Sequence, residues 1–192
     1  MRTHEQEKAH QDAQALGLSH LEQWRGTHRG IPFSIKRHTG GGFSDNTHNI
    51  WCYYLYLTPD NFSKEDWEKI LQPPYQIAIS DRWYYSADAL EVCDFQGGIT
   101  WCDVSCQPCA PDKVRLEVGC DYNHLWDSER GYPYTLSDIL FDAKTSIDKL
   151  HQNFTVYIWS SAAGTFRPEA ECTAYTEKKL DELFPNRKKV TE

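Results

Sequence analysis

The sequence contains no apolar run that approaches the roughly 20 residues of a membrane-spanning helix. The residues after Met1 also lack the apolar stretch of a secretory signal peptide. Neither the P-loop pattern nor the dinucleotide-binding glycine pattern is present, and no internal repeat or low-complexity segment is visible. These absences favour a cytoplasmic protein that has no membrane partner and none of the common nucleotide-binding fingerprints.

Positive charge is scarce as well. The chain has 20 Lys and Arg residues against 28 Asp and Glu residues, which gives a formal net charge of -8. Non-specific binding to nucleic-acid phosphates requires clustered Lys and Arg, so we expect none here. A locally basic pocket is still compatible with this charge. The basic residues gather mainly between Arg25 and Arg37 and between Lys178 and Lys189, and the second group is typical of a solvated helix face and tail.

Aromatic residues are abundant, at 14% of the chain, with 7 Trp and 11 Tyr. Such rings either fill a core or form the walls of a site that stacks planar groups. We predict that Trp51 and Trp159 lie in the core, because both belong to continuous apolar runs. Polar residues flank a second set, which we predict at the surface or in a pocket: Trp83, Tyr84, Trp101 and Trp126.

The hydrophobic pattern predicts a single α+β domain over the 192 residues. We expect a mainly antiparallel central sheet flanked by N-terminal and C-terminal helices. The predicted helices lie at residues 3–25 (two short helices), 63–71, 135–150 and 171–184. The predicted strands lie at residues 31–36, 49–57, 76–80, 82–86, 90–94, 97–102, 113–120 and 154–159. In this prediction residues 1–30 form a helical N-terminal extension and residues 185–192 a flexible tail.

The densest group of polar residues follows the strand predicted at residues 113–120. Asp121, His124 and Asp127 could bind a divalent metal, or His124 could act as a general base oriented by a carboxylate. In the alternative interpretation the two Asp side chains order the loop and His124 bonds a backbone carbonyl. If the protein is an enzyme, these three residues are the predicted catalytic group.

A pair of glycines begins the segment that runs from Gln96 through Gly97 and Gly98 to Trp101. Paired glycines at the start of a strand allow a tight turn, or the close approach of the backbone to a ligand. The glycine pair would supply backbone N–H groups that can bind an anion, and the Asp/His loop would supply polar side chains. The two segments belong to neighbouring strands of one predicted hairpin. We therefore predict that these four residues contribute to ligand binding.

The loop predicted over residues 121–134 is longer than a usual connection, so we expect it to border a functional site. Arg130 is the predicted anion-binding residue, because a guanidinium group matches planar phosphate or carboxylate acceptors. Trp126 and Tyr132 are predicted to stack on a ligand or to contact a partner.

Seven cysteines in a chain without an export signal are expected to be reduced thiols, or metal ligands. Cys102, Cys106 and Cys109 could contribute to a tetrahedral zinc site at the tip of a hairpin. The alternative is that all of them are free thiols. Zinc is therefore a possible cofactor. The same three-cysteine spacing also occurs in radical enzymes that hold an iron–sulfur cluster, but those enzymes need a barrel larger than the remaining chain can form.

Three motifs occur in an order that resembles a family of uncharacterised phage and prophage proteins. Here they read Trp51-Cys-Tyr-Tyr, Gln96-Gly-Gly-Ile-Thr-Trp and Gly119-x-Asp-x-x-His-x-x-Asp, over residues 50–152. The family typically has Cys-Gly-Tyr-Val, His-Gly-Gly-Leu-Thr-Tyr and Gly-Phe-Asp-Cys-Ala-His-x-Gly-Asp. Gln96 stands where the family has His and Trp126 where it has Gly. A Gln amide oxygen is a poor ligand for a soft or borderline metal, which disfavours a metal hydrolase.

The resemblance implies a phage-encoded protein that acts in the cytoplasm of the host cell. The main hypothesis is a non-catalytic protein that binds a host or defence protein, or sequesters a small nucleotide-like ligand. One alternative is a metal-dependent hydrolase that uses Asp121, His124 and Asp127. Another is a component of virion assembly. Because no complete catalytic motif is present, binding is expected rather than catalysis.

Overall fold

The structure is a computed structural model that describes residues 20–39, 50–76, 83–107, 110–122, 134–161 and 163–172. Its strands, numbered in chain order, are β1 (His20–His28), β2 (Ile31–Thr39), β3 (Ile50–Leu57), β4 (Tyr75–Gln76), β5 (Trp83–Tyr84), β6 (Trp101–Gln107), β7 (Ala110–Asp121), β8 (Tyr157–Ser160) and β9 (Thr165–Pro168). The α-helices are α1 (Lys64–Ile70) and α2 (Leu136–Asn153).

The central sheet is antiparallel and has five strands in the order β1-β2-β3-β7-β6. Its middle strand, β3, is fully buried on one face only, although its aromatic and apolar residues predict a strand buried on both. Tyr53 and Leu55 are buried on the face towards the core, whereas on the other face Cys52 is buried and Tyr54 and Tyr56 are half-buried. The hairpin predicted from the two later strands is confirmed by the antiparallel pairing of β6 with β7.

A two-residue turn joins β1 to β2. Arg29 and Gly30 have φ angles of 44° and 79°, and positive φ at both central residues is what a type I′ hairpin turn requires. The strand His20–His28 pairs with β2 along its whole length, so the helix predicted up to residue 25 and the helical extension predicted up to residue 30 are wrong from residue 20 onward. Residues 1–19 lie outside the described residues.

Tertiary contacts explain why β1 is a strand despite the helical spacing of its apolar residues. Trp24 stacks on Trp51, with ring centroids 5.7 Å apart, and the Arg37 guanidinium lies 5.2 Å from the centre of the Trp51 ring. This cross-strand packing, with the backbone ladder to β2, outweighs the weak helical preference of the local sequence.

The helix α2 packs against one face of the sheet. Its N-terminus has the predicted capping box, in which Thr135 Oγ1 accepts from the Asp138 N–H (3.3 Å) and the Asp138 carboxylate accepts from the Thr135 N–H (2.8 Å). The hydroxyl of Tyr53 meets Ser146 Oγ at 2.7 Å, which joins the helix to the middle of the sheet. The apolar residues that α2 buries completely are Ile139, Ala143, Ile147 and Leu150.

Shorter elements close the rest of the core. Ser63 caps α1 as predicted, since its Oγ accepts a hydrogen bond from the Asp66 N–H at 3.1 Å. A 3₁₀ helix, Asp88–Cys93, replaces the strand predicted at residues 90–94. Leu90 and Cys93 are both buried, and residues three apart share one side of a 3₁₀ helix, which explains the difference.

The hairpin of β8 and β9 packs beside the β1–β2 turn. A Cβ atom on Gly30 would lie 2.4 Å from the Ile158 side chain, so only glycine permits this contact. Asn61 Nδ2 donates to the carbonyl oxygen of Tyr157 at 3.1 Å.

The strand predicted from residue 154 begins at Tyr157, because α2 extends past its predicted end. Residues 169–172 are helical, near the predicted start of the last helix; the rest of that helix and the tail lie outside the described residues.

These elements confirm the predicted α+β class with an antiparallel central sheet. Within the described ranges, no helix combines the length and the apolar character needed to cross a membrane.

We predict that the hydrogen bond between Tyr53 and Ser146 stabilises the contact of α2 with the sheet. Tyr53→Phe leaves the Ser146 hydroxyl buried without this partner, at a cost of about 1–2 kcal/mol in the free energy of unfolding. The double variant Tyr53→Phe/Ser146→Ala should recover part of that loss, measured by urea unfolding as a double-mutant cycle. Tyr75→Phe, at a position that is 49% exposed, is the control and should change little. Additive effects of the two core substitutions would contradict the prediction.

Candidate functional site

The face of the sheet opposite α2 carries a mixture of charged and aromatic side chains. In β7, Arg115 and Glu117 alternate with the fully buried Leu116 and Val118. The cross-strand register places Glu117 beside Tyr56 of β3. We refer to this side of the sheet as the outer face.

A groove of about 720 Å³ runs over the outer face and under the β8–β9 hairpin. This volume is within the range of small-molecule sites. Its side chains come from β1, β2, β3, β7, β8 and β9, and the ones used below are Arg25, Lys36, Tyr56, Arg115, Glu117, Trp159 and Phe166. We refer to it as the sheet-face groove.

An aromatic pair forms one wall of the sheet-face groove. Trp159 and Phe166 are cross-strand partners in the β8–β9 hairpin, with ring centroids 5.5 Å apart at 70°. Trp159 is 56% exposed, so the prediction that it lies in the core is wrong. The neighbouring Ile158 packs towards the core in its place, because successive side chains of a strand point to opposite sides.

Two cations lie over tyrosine rings on the outer face. Lys36 Nζ is 4.2 Å from the centre of the Tyr54 ring and 3.7 Å from Glu117 Oε1. The Arg115 guanidinium is 5.0 Å from the centre of the Tyr56 ring, and the Tyr56 hydroxyl is 2.7 Å from Ser34 Oγ. These contacts hold the long cationic side chains against the sheet.

The groove carries a surplus of positive charge in a chain that is acidic overall. Arg25, Lys36 and Arg115 line it with a single carboxylate, Glu117. Lys36 pairs with that carboxylate, whereas Arg25 and Arg115 are exposed and make no ion pair among the described residues. An exposed guanidinium offers several N–H donors to a phosphate or carboxylate.

An ionic network attaches the aromatic wall to the sheet. Arg29 Nε donates to both carboxylate oxygens of Glu169, at 3.0 and 3.1 Å, and Arg29 Nη1 donates to Asp148 Oδ1 at 3.1 Å. His28 Nε2 is 3.0 Å from the same Asp148 oxygen, and His151 Nδ1 is 3.4 Å from Glu169 Oε2. Because Glu169 directly follows β9, the network joins the end of the hairpin to the β1–β2 turn and to α2. We refer to these five residues as the Arg29 network.

The network shifts the pKa values of its members. The hydrogen bond from Arg29 holds the pKa of Glu169 below its ordinary value of 4.5. Burial opposes the same effect at Asp148, yet the hydrogen bonds from Arg29 and His28 keep the pKa of that carboxyl low. Burial and the nearby Arg29 charge lower the pKa of His151. The lowered pKa values favour the ionised form of Glu169 and Asp148 and the neutral form of His151, which are the forms present at neutral pH.

The glycine pair of the sequence motif forms a tight turn, as predicted, with φ angles of 71° at Gly97 and 91° at Gly98. The N–H of Gly98 donates to the Phe95 carbonyl oxygen, and the N–H of Ile99 donates to Glu91 Oε1 at 3.1 Å. The turn thus uses these N–H groups to hold its own shape. Its role in ligand binding stays a prediction.

Gln96 lies at a second, smaller hollow of about 390 Å³. Its Nε2 is 3.4 Å from the Tyr134 hydroxyl. The two carboxylates at this hollow are already engaged, since Asp138 caps α2 and Asp142 accepts a hydrogen bond from the Tyr122 hydroxyl at 2.7 Å. Among the described residues the hollow is lined by two carboxylates and by no cation, so it suits an anionic ligand less well than the sheet-face groove does.

The two described residues that flank the loop of the Asp/His motif, Tyr122 and Tyr134, lie next to each other. The rings of Tyr122 and Tyr134 are 4.7 Å apart, and the N–H of Asp121 donates to Thr100 Oγ1 at 2.9 Å. Of the predicted catalytic group only Asp121 is described. The residues that lie outside the described ranges are His124, Trp126, Asp127, Arg130 and Tyr132, so their predicted roles stay predictions.

Trp101, another predicted ligand-binding residue, is at the surface as expected and is 48% exposed. It packs edge-on against Tyr54, with ring centroids 6.5 Å apart. It belongs to the outer face but does not line the sheet-face groove.

The cysteine motif is described only at its first member. Cys102 packs against the core cluster, and burial with the nearby carboxylates of Asp103 and Asp88 raises the pKa of its thiol to about 11. A protonated thiol is a poor metal ligand. The side chains of Cys106 and Cys109 lie outside the described residues, and no metal-ligand group of three or more His, Cys, Asp or Glu side chains is found in the described part of the chain. Zinc binding stays a prediction.

Sequence reasoning missed the sheet-face groove, although a signal for part of it was present. The run from Lys113 to Gly119 alternates charged and apolar residues, which is typical of a strand with one polar face. That pattern identifies Arg115 and Glu117 as outward-facing. The contribution of Trp159 has no such signal, because it depends on where a distant hairpin docks.

Comparison of the chain with protein-family models, with curated protein sequences and with solved structures finds no match. The resemblance to phage proteins therefore stays a prediction.

We predict that the Arg29 network makes the protein less stable as the pH falls. The folded-state pKa of His151 lies below its ordinary value of 6.5, so the unfolded chain takes up that proton first and stability falls below about pH 6.5. The lowered pKa values of Glu169 and Asp148 extend the loss through the range below 4.5. Urea unfolding at intervals between pH 7 and pH 3 measures the slope.

The variant Arg29→Gln should lower the free energy of unfolding at pH 7 by about 1 kcal/mol, since the ion pairs are partly exposed. It should also flatten the pH dependence, because Arg29 contributes to all three pKa shifts. Lys69→Gln removes an exposed ion pair of α1 and serves as the control. An unchanged slope in Arg29→Gln would contradict the assignment.

Proposed function

We propose that this protein is a non-catalytic binding protein that sequesters a small, nucleotide-like anion in the sheet-face groove. The observation that carries the proposal is the meeting of an exposed aromatic wall with a surplus of positive charge in one concave site. Trp159 offers a planar surface, and Arg25 and Arg115 offer donors to an anion. A nucleotide combines a planar base with a phosphate.

A small ligand fits the charge distribution better than a long nucleic acid. Asp103 and Asp121 lie on the outer face beyond the groove, by the alternation of β6 and β7. The chain as a whole has a net charge of -8, and these carboxylates would repel a polyanion that extended along the sheet. The three cations of the outer face named above, Arg25, Lys36 and Arg115, all line the groove.

Two further parts of the proposal come from the sequence. The resemblance of three motifs to phage proteins supports a phage origin and a place in the host cytoplasm. The absence of a complete catalytic motif in the sequence supports sequestration over turnover. A metal-dependent hydrolase would need His124 and Asp127 to converge with Asp121, and no contact among the described residues favours it.

The test compares two exposed tryptophans. The four common nucleoside 5′-monophosphates are titrated by calorimetry into the wild-type protein, Trp159→Ala and Trp101→Ala. Loss of base stacking should weaken binding to Trp159→Ala by about tenfold or more, because one stacked base contributes roughly 1–3 kcal/mol. Trp101→Ala should bind as the wild type does. Both variants should melt within a few degrees of the wild type, since each position is about half exposed.

Unchanged binding to a folded Trp159→Ala would contradict the proposal. A loss confined to Trp101→Ala would move the site towards the Gln96 turn and the residue 121–134 loop, where the sequence predicts it. The absence of any nucleotide binding to the wild-type protein would remove the ligand class altogether.

A further inference from the structure

We infer that the ligand of the sheet-face groove carries a terminal phosphate monoester, and that Arg25 and Arg115 bind this one phosphate together above the Tyr56 hydroxyl. The inference rests on the proposed function and deepens it, because it names the class of nucleotide. The juxtaposition that carries it is the placement of two exposed arginines on opposite sides of the same part of the groove floor.

The Tyr56 ring forms this part of the floor. Tyr56 belongs to β3, and its hydroxyl is 2.7 Å from Ser34 Oγ of the neighbouring strand β2. The ring therefore spans the space between the two strands. Because Ser34 is completely buried, this hydrogen bond holds the ring in one orientation, and the sheet determines where the hydroxyl lies.

Arg115 reaches the floor from the side of β7. Its guanidinium group lies 5.0 Å from the centre of the Tyr56 ring. The ring itself leads from β3 to β2, so Arg115 extends away from its own strand in the direction of Arg25. Its side chain is exposed, and the contact with the ring leaves its N–H donors available to a ligand.

Arg25 borders the same floor from the side of β1. It is the direct cross-strand partner of Ser34, and directly opposite residues of an antiparallel pair share a face, with Cα atoms about 5 Å apart. Arg25 is exposed and lines the groove. Its long side chain therefore starts one strand beyond the Tyr56 hydroxyl, opposite Arg115. One phosphate above this hydroxyl is within reach of both guanidinium groups.

The charge of the groove matches a dianion. The third cation, Lys36, is 3.7 Å from Glu117, and both side chains are less than a quarter exposed, at 23% and 22%. These two charges neutralise each other, which leaves the charges of the two arginines. A phosphate monoester carries about -1.5 to -2 at pH 7, whereas a phosphodiester carries a single negative charge. The monoester therefore balances both guanidinium groups, and the diester balances only one.

The test compares two ligands that share a base and a sugar. Adenosine 5′-monophosphate has a terminal phosphate monoester, and adenosine 3′,5′-cyclic monophosphate has a phosphodiester. Calorimetric titration of the full chain at pH 7.5 should show the monoester binding about tenfold or more tightly than the cyclic diester, because only the monoester satisfies two charge-assisted contacts.

Charge-neutral variants test whether both arginines bind the same group. Arg25→Gln and Arg115→Gln should each weaken binding of the monophosphate by about tenfold and reduce its preference over the cyclic diester. Because this ligand has one phosphate only, a loss in both variants assigns both arginines to that phosphate. Lys64→Gln, which removes an exposed cation of α1 outside the groove, is the charge-matched control and should have no effect. Melting temperatures should stay within a few degrees of the wild type, since both arginines are exposed.

Equal affinities for the two esters would overturn the inference, and so would unchanged binding of the monophosphate to a folded Arg25→Gln or Arg115→Gln. In these cases the proposed function stands, provided that Trp159→Ala still loses nucleotide binding. Failure of every nucleotide to bind the wild-type protein overturns both.

Discussion

The backbone ladders on either side of β3 determine where every other part of the molecule lies. On one side β3 pairs with β2, and on the other it pairs with β7. These ladders bring together segments that are far apart in sequence, and they give the sheet one face for α2 and one for the charged residues. The close approach at Gly119 belongs to the same arrangement, since a Cβ there would lie 2.0 Å from the Tyr53 carbonyl oxygen. A side chain at this position is incompatible with the pairing.

The two faces of the sheet accommodate their side chains in different ways. The face towards α2 is closed by apolar contacts and by the buried hydrogen bond of Tyr53 with Ser146. The outer face instead satisfies its charges by pairing them or by laying them over tyrosine rings, as Lys36 and Arg115 do. This arrangement keeps the charges next to a rigid sheet. A site built on rigid elements holds its donors in place before a ligand arrives.

The sequence predicts those parts of the fold that depend on local pattern. The capping box at Thr135, the cap at Ser63 and the apolar run of β3 all have local signals, and the structure has each of them. The strand β1 could not be predicted in this way, because its conformation depends on pairing with β2. The candidate site is likewise predictable only where a local pattern exists. Arg115 could be assigned to a polar strand face, but its association with Trp159 depends on the docking of the β8–β9 hairpin.

That docking has a consequence for the order in which the protein is made. The contact of Arg29 with Glu169 spans 140 residues of chain, and contacts of high sequence separation form late, because the cost of closing the loop must be met first. All five strands of the central sheet precede residue 122, so they leave the ribosome before Trp159 does. All five strands of the central sheet are therefore synthesised before the aromatic wall of the groove, and the proposed ligand site is complete only once synthesis has passed Phe166.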